Sequence, residues 1–190
     1  MAEPEPATLL TVGHSNHDLE HFLALLRTHD VQGIADVRSW PASSYTPWFD
    51  REPLLDALDG VGVQYVFLGR ELGGRPDDEH LYDEGGHVRY DAVARSETFA
   101  RGLEQLRRRI AALRIAVMCA EENPKHCHRR MLVARVLFEE GARVLHIRGD
   151  GRLEPESGFV RLDTLFEEPL PWRSTASVSR RRPLRASSVA

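Results

Sequence analysis

The chain has 190 residues, 42% of them apolar and 28% charged, with two cysteines. That length suits one domain; the composition excludes collagen-like, wholly disordered and membrane-spanning chains, and two cysteines are too few for a disulfide scaffold. The net charge of −4 hides an asymmetry, because residues 1–169 hold 20 basic and 29 acidic side chains whereas residues 170–190 hold five arginines and no acid.

Residues 1–7 are acidic and proline-rich, without the basic start and apolar run of a secretory signal, and are expected to be disordered. No apolar stretch approaches the ~20 residues that span a bilayer. A cytoplasmic protein with reduced thiols and no membrane partner is the expectation. Thr8–Val12 reads as a strand, followed by Gly13-His14-Ser15-Asn16 and a helix with Leu19, Phe22, Leu23 and Leu26 on one face. Ser15 or Asn16 is the expected cap, with Asp18 in the first turn. Gly33–Arg38 reads as a second strand, leading through a Trp-, Pro- and Ser-rich connection from Ser39 to Phe49 into a short helix near Pro53–Leu58.

Val63–Leu68 alternates as a third strand, and a loop of about twenty residues, long for a connection, runs to Tyr90. Ser96 and Glu97 open a helix carrying Phe99, Leu103, Leu106, Ile110 and Leu113 at intervals of four and three. Ile115–Cys119 is the fourth strand; its exit, Ala120–Cys127, precedes a helix from His128 to Glu140 that ends at Gly141. Arg143–Ile147 is the fifth. This alternation predicts an α/β fold: one domain over residues 8–172, with a mostly parallel five-stranded sheet covered by helices on both faces. Beyond Asp150 only a strand near Phe159–Leu162 is predicted, and residues 173–190 read as a disordered basic tail.

Ligands of open parallel sheets bind beyond the carboxyl ends of the strands. Those exits carry His14 and Ser15, then Asp36, Arg38 and Ser39, then Gly69, Glu71, Gly73 and Gly74, then Cys119, Glu121 and Glu122, then Arg148 and Gly149. A cysteine at a strand end facing a helix start suits a nucleophile or an anion, so Cys119 and Glu121 are candidate catalytic groups; a buried structural cysteine is the alternative for Cys119. His14 suits proton transfer, or equally a hydrogen-bonded strut between loops. Arg38 and Arg129 are candidate anion binders, because a guanidinium fork matches carboxylate or phosphate, while Asp36 and Arg38 also suit a plain ion pair. Ser15, Asp36 and Ser39 complete the expected ligand-binding wall.

Cys119, Cys127 and His128, joined by His14 or His126, offer zinc-type ligands, although their spacing matches no standard finger or ribbon. The same two thiols could instead form a transient disulfide. No other cofactor is expected. The aromatic connection Ser39–Phe49 suits stacking on a planar ligand or a satellite core.

Four blocks carry a resemblance: Thr11-Val-Gly-His-Ser15, Asp36-Val-Arg-Ser39 with Pro41 and Ser43, Leu68-Gly-Arg-Glu-Leu-Gly-Gly74, and Met118-Cys-Ala-Glu-Glu122 with Cys127-His-Arg129. In this order they resemble the domain of unknown function 488 family over roughly residues 8–150. The resemblance implies no settled activity; it directs attention to His14, Ser15, Asp36, Arg38, Cys119, Glu121, Cys127, His128 and Arg129, and some relatives carry a DNA-repair label. The Asp-Val-Arg strand with a following strand, cysteine, loop and helix also resembles the rhodanese pattern, which implies rhodanese-like or Rossmann-like layering. The longer loop and Glu121-Glu122 depart from that pattern.

Three functional readings follow. The first is an enzyme, a hydrolase or transferase, acting on a small or nucleotide-like ligand at the carboxyl edge of the sheet. The second is a nucleic-acid-binding or repair accessory protein using the basic tail and aromatic loop, against which the acidic body argues. The third is a metal-binding structural domain.

Overall fold

The computed structural model describes residues 6–161, 168–169 and 172–175. Five parallel strands form the body of the sheet: β1 (Thr8–Gly13), β2 (Gly33–Asp36), β3 (Gln64–Phe67), β4 (Ile115–Cys119) and β5 (Arg143–Ile147). A short antiparallel strand, β6 (Leu153–Pro155), extends the expected five to six, in the order β3-β2-β4-β1-β5-β6. Past it, β7 (Val160–Arg161), where a strand was predicted, pairs with β8 (Glu168–Pro169) in a separate two-stranded ribbon. The strand pattern is near-continuous in its apolar character because both faces are covered.

Side-chain alternation divides the interior into two cores. Leu10, Val12, Ile34, Ala116 and Met118 face α1 (Leu19–Thr28) and α2 (Arg51–Asp59), which contribute Phe22, Leu26, Leu54 and Leu58. The opposite residues, among them Leu9, Ala35, Val117 and Cys119, face α3 (Gly69–Leu72), α4 (Tyr90–Ala94), α5 (Glu97–Ala112) and the helix after the cysteine loop. The chain moves outward from β1 through β2 to β3 along one face, then returns to β4 along the other. Cys119 therefore ends the strand at which the winding reverses, where an open sheet forms its crevice.

Local chemistry explains three departures from the expected elements. Asp18, not Ser15 or Asn16, caps α1, accepting a bond of 2.7 Å from the His21 amide, because Ser15 turns into the left-handed region at φ 49° before the helix starts. The long loop after β3 carries α3 and a 3-10 turn at Glu79–Leu81. The helix predicted from His128 begins as a π-helical stretch, Arg129–Ala134, and becomes α-helical only in α6 (Arg135–Glu139). Ser96 caps α5 as expected, accepting from the Phe99 amide at 3.2 Å.

The chain expected to leave the domain after residue 172 still packs on it through Thr175. Ser174 is buried and exchanges bonds with Val88, and Arg173 meets Asp83 at 3.2 Å. Residues 1–5 and 176–190, with most of the two segments expected to be disordered, lie outside the described residues. Among the described residues no helix is long and apolar enough to cross a membrane.

A buried polar chain ties the β5–β6 edge to the helix after the cysteine loop. Thr11 Oγ1 meets His146 Nδ1 at 2.7 Å, His146 Nε2 meets Glu156 at 3.2 Å, and Arg130 grips Glu156 with bonds of 2.6 and 2.8 Å. Burial alone would raise the Glu156 carboxyl, but its bonds from His146 and Arg130 overcome that and hold it down at about 2. A folded pKa below the unfolded 4.5 means stabilisation that is complete above that value and lost as pH falls toward 2. Denaturant titrations at about pH 6 and about pH 3 are expected to show Glu156→Gln losing on the order of 2–3 kcal/mol less on acidification than the parent chain. Parallel losses in the two proteins would contradict this assignment.

Candidate functional site: a thiol, carboxylate and imidazole cluster at the sheet's carboxyl edge

The site begins with how the ends of β1 and β4 are joined. The His14 amide donates to the Cys119 carbonyl at 3.0 Å, and the Ser15 amide to the Ala120 carbonyl at 2.8 Å, prolonging the parallel ladder past the strands. Gly13 allows the cysteine loop to pack here, since a Cβ at that position would stand 1.9 Å from the Glu121 carbonyl oxygen. Beneath the loop Arg129 is fully buried. Its guanidinium donates to the carbonyls of Glu121 and, at 2.6 Å, Glu122, and contacts Thr11 Oγ1 at 3.4 Å.

Arg129, expected as an anion binder, is buried with its guanidinium turned to the Glu121 and Glu122 carbonyls and Thr11, where it straps the cysteine loop, and it does not line the cleft at the sheet's carboxyl edge. Glu122 fastens the outer side of the same loop, accepting from Arg148 at 2.8 and 2.9 Å and from the Gly149 amide at 3.0 Å. The Arg148 bonds are the main reason its carboxyl is held at about 2.

With both ends held, Cys119, Glu121, Cys127 and His128 converge, one polar atom of each lying within 4.8 Å of every other. Both thiols donate to Glu121 Oε2, Cys119 at 2.9 Å and Cys127 at 3.1 Å. His128 Nδ1 lies 3.5 Å from the Cys119 sulfur and 3.9 Å from that of Cys127. The other ring nitrogen, Nε2, donates to the Val37 carbonyl at 2.9 Å, so Nε2 carries hydrogen and Nδ1 holds the lone pair when the ring is neutral; burial opposes protonation, but Cys127 and Glu121 outweigh it and raise the His128 pKa. Gly74 leaves room for this ring, since a Cβ there would come within 2.6 Å of it.

The electrostatics follow from this packing. Burial first, then the neighbouring Cys127 and Glu121, pushes the Cys119 thiol up. For Cys127 burial acts the same way but is outweighed by bonds from Cys119 and His128 and by the charges of His128 and Arg129, which bring it down. Glu121 stays ionised because the two thiol bonds overcome its burial and hold it at about 2.

The other sequence-predicted residues form a second, adjoining network. Arg38 grips Asp36 with bonds of 3.0 Å from Nε and 2.7 Å from an Nη, and Asp36 also accepts from Tyr65 at 2.9 Å. Another Arg38 Nη meets His14 Nε2 at 3.2 Å, while His14 Nδ1 donates to the Ser15 carbonyl at 2.8 Å. His14 is buried, stacked 4.4 Å from Phe49, and lowered to about 4, chiefly by desolvation and then by Arg38. It is thus a neutral strut behind the cleft. Ser15 bonds its neighbour Asn16 at 3.3 Å, and Asp36 faces Arg38, so neither lines the cleft.

The cluster opens onto a cleft of about 350 Å³, whose lining includes Arg38, Trp40, Arg75, Cys119, Glu121 and His128. Ser39 lies in its wall and accepts from the Arg75 amide at 3.0 Å. The Arg75 guanidinium sits over the Trp40 ring at 5.4 Å. Neither reading of the aromatic connection holds for all of it: Phe49 joins the core, Trp48 donates to the His17 carbonyl at 2.9 Å, and Trp40 faces the cleft. Arg75 and Tyr90 also line the cleft without standing at a strand exit in the sequence; the Gly73-Gly74-Arg75 run inside the long loop is the available signal for Arg75.

A doubly covered, mostly parallel α/β sheet with a thiol, carboxylate and imidazole cluster at its carboxyl edge is the class defined by this geometry. The family model for the domain of unknown function DUF488 matches residues 18–136, more than half of the chain, and the chain belongs to that family. No curated protein and no solved structure matches it.

Charge-assisted bonds contribute roughly 1.5–3 kcal/mol each, and Arg129 makes two to carbonyls that would otherwise be buried unpaired. Arg129→Met is expected to lower unfolding free energy by about 3 kcal/mol or more and to speed reaction of both cysteines with a thiol reagent. Unchanged stability and reactivity would remove Arg129 from this role.

Proposed function

We propose that this chain is an enzyme, a hydrolase or transferase, that binds a small anionic ligand with a planar face, nucleotide-like in chemistry, and reacts it at the Cys119, Glu121, Cys127 and His128 cluster. The observation that carries the reading is the opening of that cluster onto a cleft walled by two guanidinium groups and an indole. A volume near 350 Å³ lies at the lower end of small-ligand sites. A neighbouring hollow of about 380 Å³ shares Ser39, Trp40 and Arg75 with it, which suits a ligand with two parts, one stacked and one charged.

Roles follow from position. Arg75, exposed at the mouth, meets the anion, and Arg38 lies deeper with its orientation set by Asp36. Trp40 offers its ring to the planar part. Glu121, ionised yet turned toward the thiols, is the nearest proton acceptor, and Cys119 is the sulfur lining the cleft. His14 and Arg129 hold the frame.

Nucleoside mono- and diphosphates and inorganic phosphate, titrated against the full chain by thermal shift and calorimetry, test the reading. A nucleotide is expected to bind better than phosphate alone. Arg75→Ala is expected to weaken it about ten- to a hundredfold, since a charge-assisted bond contributes roughly 1.5–3 kcal/mol, and Trp40→Ala by a similar factor through lost stacking. Binding by none of the probes, or equal binding by both variants, would remove the ligand from this cleft.

A further inference from the structure

We propose that Cys119, Glu121, Cys127 and His128 bind one divalent transition-metal ion, zinc by ligand preference, through the two sulfurs, Glu121 Oε2 and His128 Nδ1. The ion would stand at the reacting centre inferred above and so deepens that reading, but its ligand set stands without any substrate.

Geometry is the first argument. A tetrahedral zinc site with bonds of about 2.3 Å to sulfur and 2.0–2.1 Å to nitrogen or oxygen has sulfur-to-nitrogen edges near 3.6 Å. The two sulfurs stand 3.5 and 3.9 Å from His128 Nδ1, on either side of that edge. Their distances of 2.9 and 3.1 Å to Glu121 are shorter than such an edge, as fits direct hydrogen-bonded contact without an ion. An ion at the centroid replaces those contacts, and the carboxylate needs to withdraw only about half an ångström.

The surroundings supply what a metal site requires beyond its ligands. A ligating imidazole usually donates its remote N–H to a carbonyl or carboxylate, which fixes the tautomer. His128 does this toward Val37, so in the neutral ring the nitrogen facing the sulfurs, Nδ1, is the one with a lone pair. The Arg129 amide donates to the Cys127 sulfur at 3.4 Å, which suits a thiolate. Gly74 keeps the ring's place clear. Two soft thiolates, an imidazole and one hard carboxylate form a mixed set of the kinds that zinc accepts. On binding, two S–H bonds break, two metal–sulfur bonds form, and both protons leave to solvent, so affinity falls as pH is lowered. A disulfide would use the sulfurs but leave the inward carboxylate and the oriented Nδ1 unexplained.

Cys119, Glu121 and His128 line the cleft, whereas Cys127 does not. Four protein ligands fill a tetrahedron, so a position toward the cleft would open only when one of them, such as Glu121 on the cleft side, gives way. The fourth ligand is Glu121, where His14 or His126 was expected; His14 is engaged by Arg38 and Ser15, and His126 is not part of the cluster.

Cobalt(II) titration of the reduced full chain, followed by absorption, tests the proposal, with zinc stoichiometry measured by elemental analysis after chelator competition. Expected are one equivalent of metal, thiolate-to-cobalt charge transfer in the near ultraviolet, and the intense visible bands of four-coordinate cobalt. Cys127→Ser, verified folded by circular dichroism, is expected to bind more than about a hundredfold more weakly, beyond what loss of an outer contact does. Arg75→Ala is expected to keep the spectrum. Absence of thiolate charge transfer in the reduced parent chain overturns the proposal without any variant, and so does a spectrum that Cys127→Ser retains. Cobalt binding in a chain that takes up no nucleotide would sink the cleft reading alone; nucleotide binding without cobalt would sink only the metal.

Discussion

The hydrogen bonds from the buried Arg129 guanidinium to the carbonyls of Glu121 and Glu122 hold the rest of the site in place. The cysteine loop leaves the sheet at the point where its winding reverses, and a loop there would otherwise carry unpaired backbone carbonyls into the interior. A cation beneath those carbonyls solves that problem and draws the loop down on β1. The fit is close enough that Gly13 tolerates no side chain. Once the loop is held in this way, Glu121 projects toward the two cysteines and His128 stands across from it.

Two buried polar networks then divide the work. One runs from Tyr65 through Asp36 and Arg38 to His14, whose imidazole burial and then Arg38 keep neutral, and it links the carboxyl ends of β1 and β2 across β4. The other, Glu156 with Arg130 and His146, secures the helix that follows the cysteine loop. Between them the cluster brings two thiols to one carboxylate oxygen, a concentration of donors that packing alone does not call for. Its opening toward a cationic and aromatic cleft links that concentration to a ligand.

Much of the fold was legible because it rests on short-range signals. The five parallel strands follow from apolar runs bounded by polar exits, and Ser96 marks the start of α5 by its hydroxyl. The cap of α1 lies two or three positions beyond Asn16 or Ser15, at Asp18, since the left-handed turn at Ser15 that delays α1 leaves no mark in composition. The π-helical stretch at Arg129–Ala134 was invisible for the same reason. The strands' convergence placed Cys119, Glu121, Cys127 and His128 in one region, but not within one coordination radius. The sequence presents Arg129 as an anion binder because burial of a guanidinium is a property of the packed loop, and it does not mark Arg75, whose partner Trp40 lies 35 positions earlier in the chain.

The strapped loop holds the two thiols together on one carboxylate oxygen, with Cys119 on the cleft side. Phenylarsine oxide tests it directly: its arsenic bonds two adjacent sulfurs, and its oxygen leaves as water with the two thiol protons. Intact-mass measurement on the reduced chain is predicted to show one arsenical bridging Cys119 and Cys127, and the adduct should resist displacement by a monothiol. No adduct, or one that a monothiol removes, would show that the two sulfurs do not share a site.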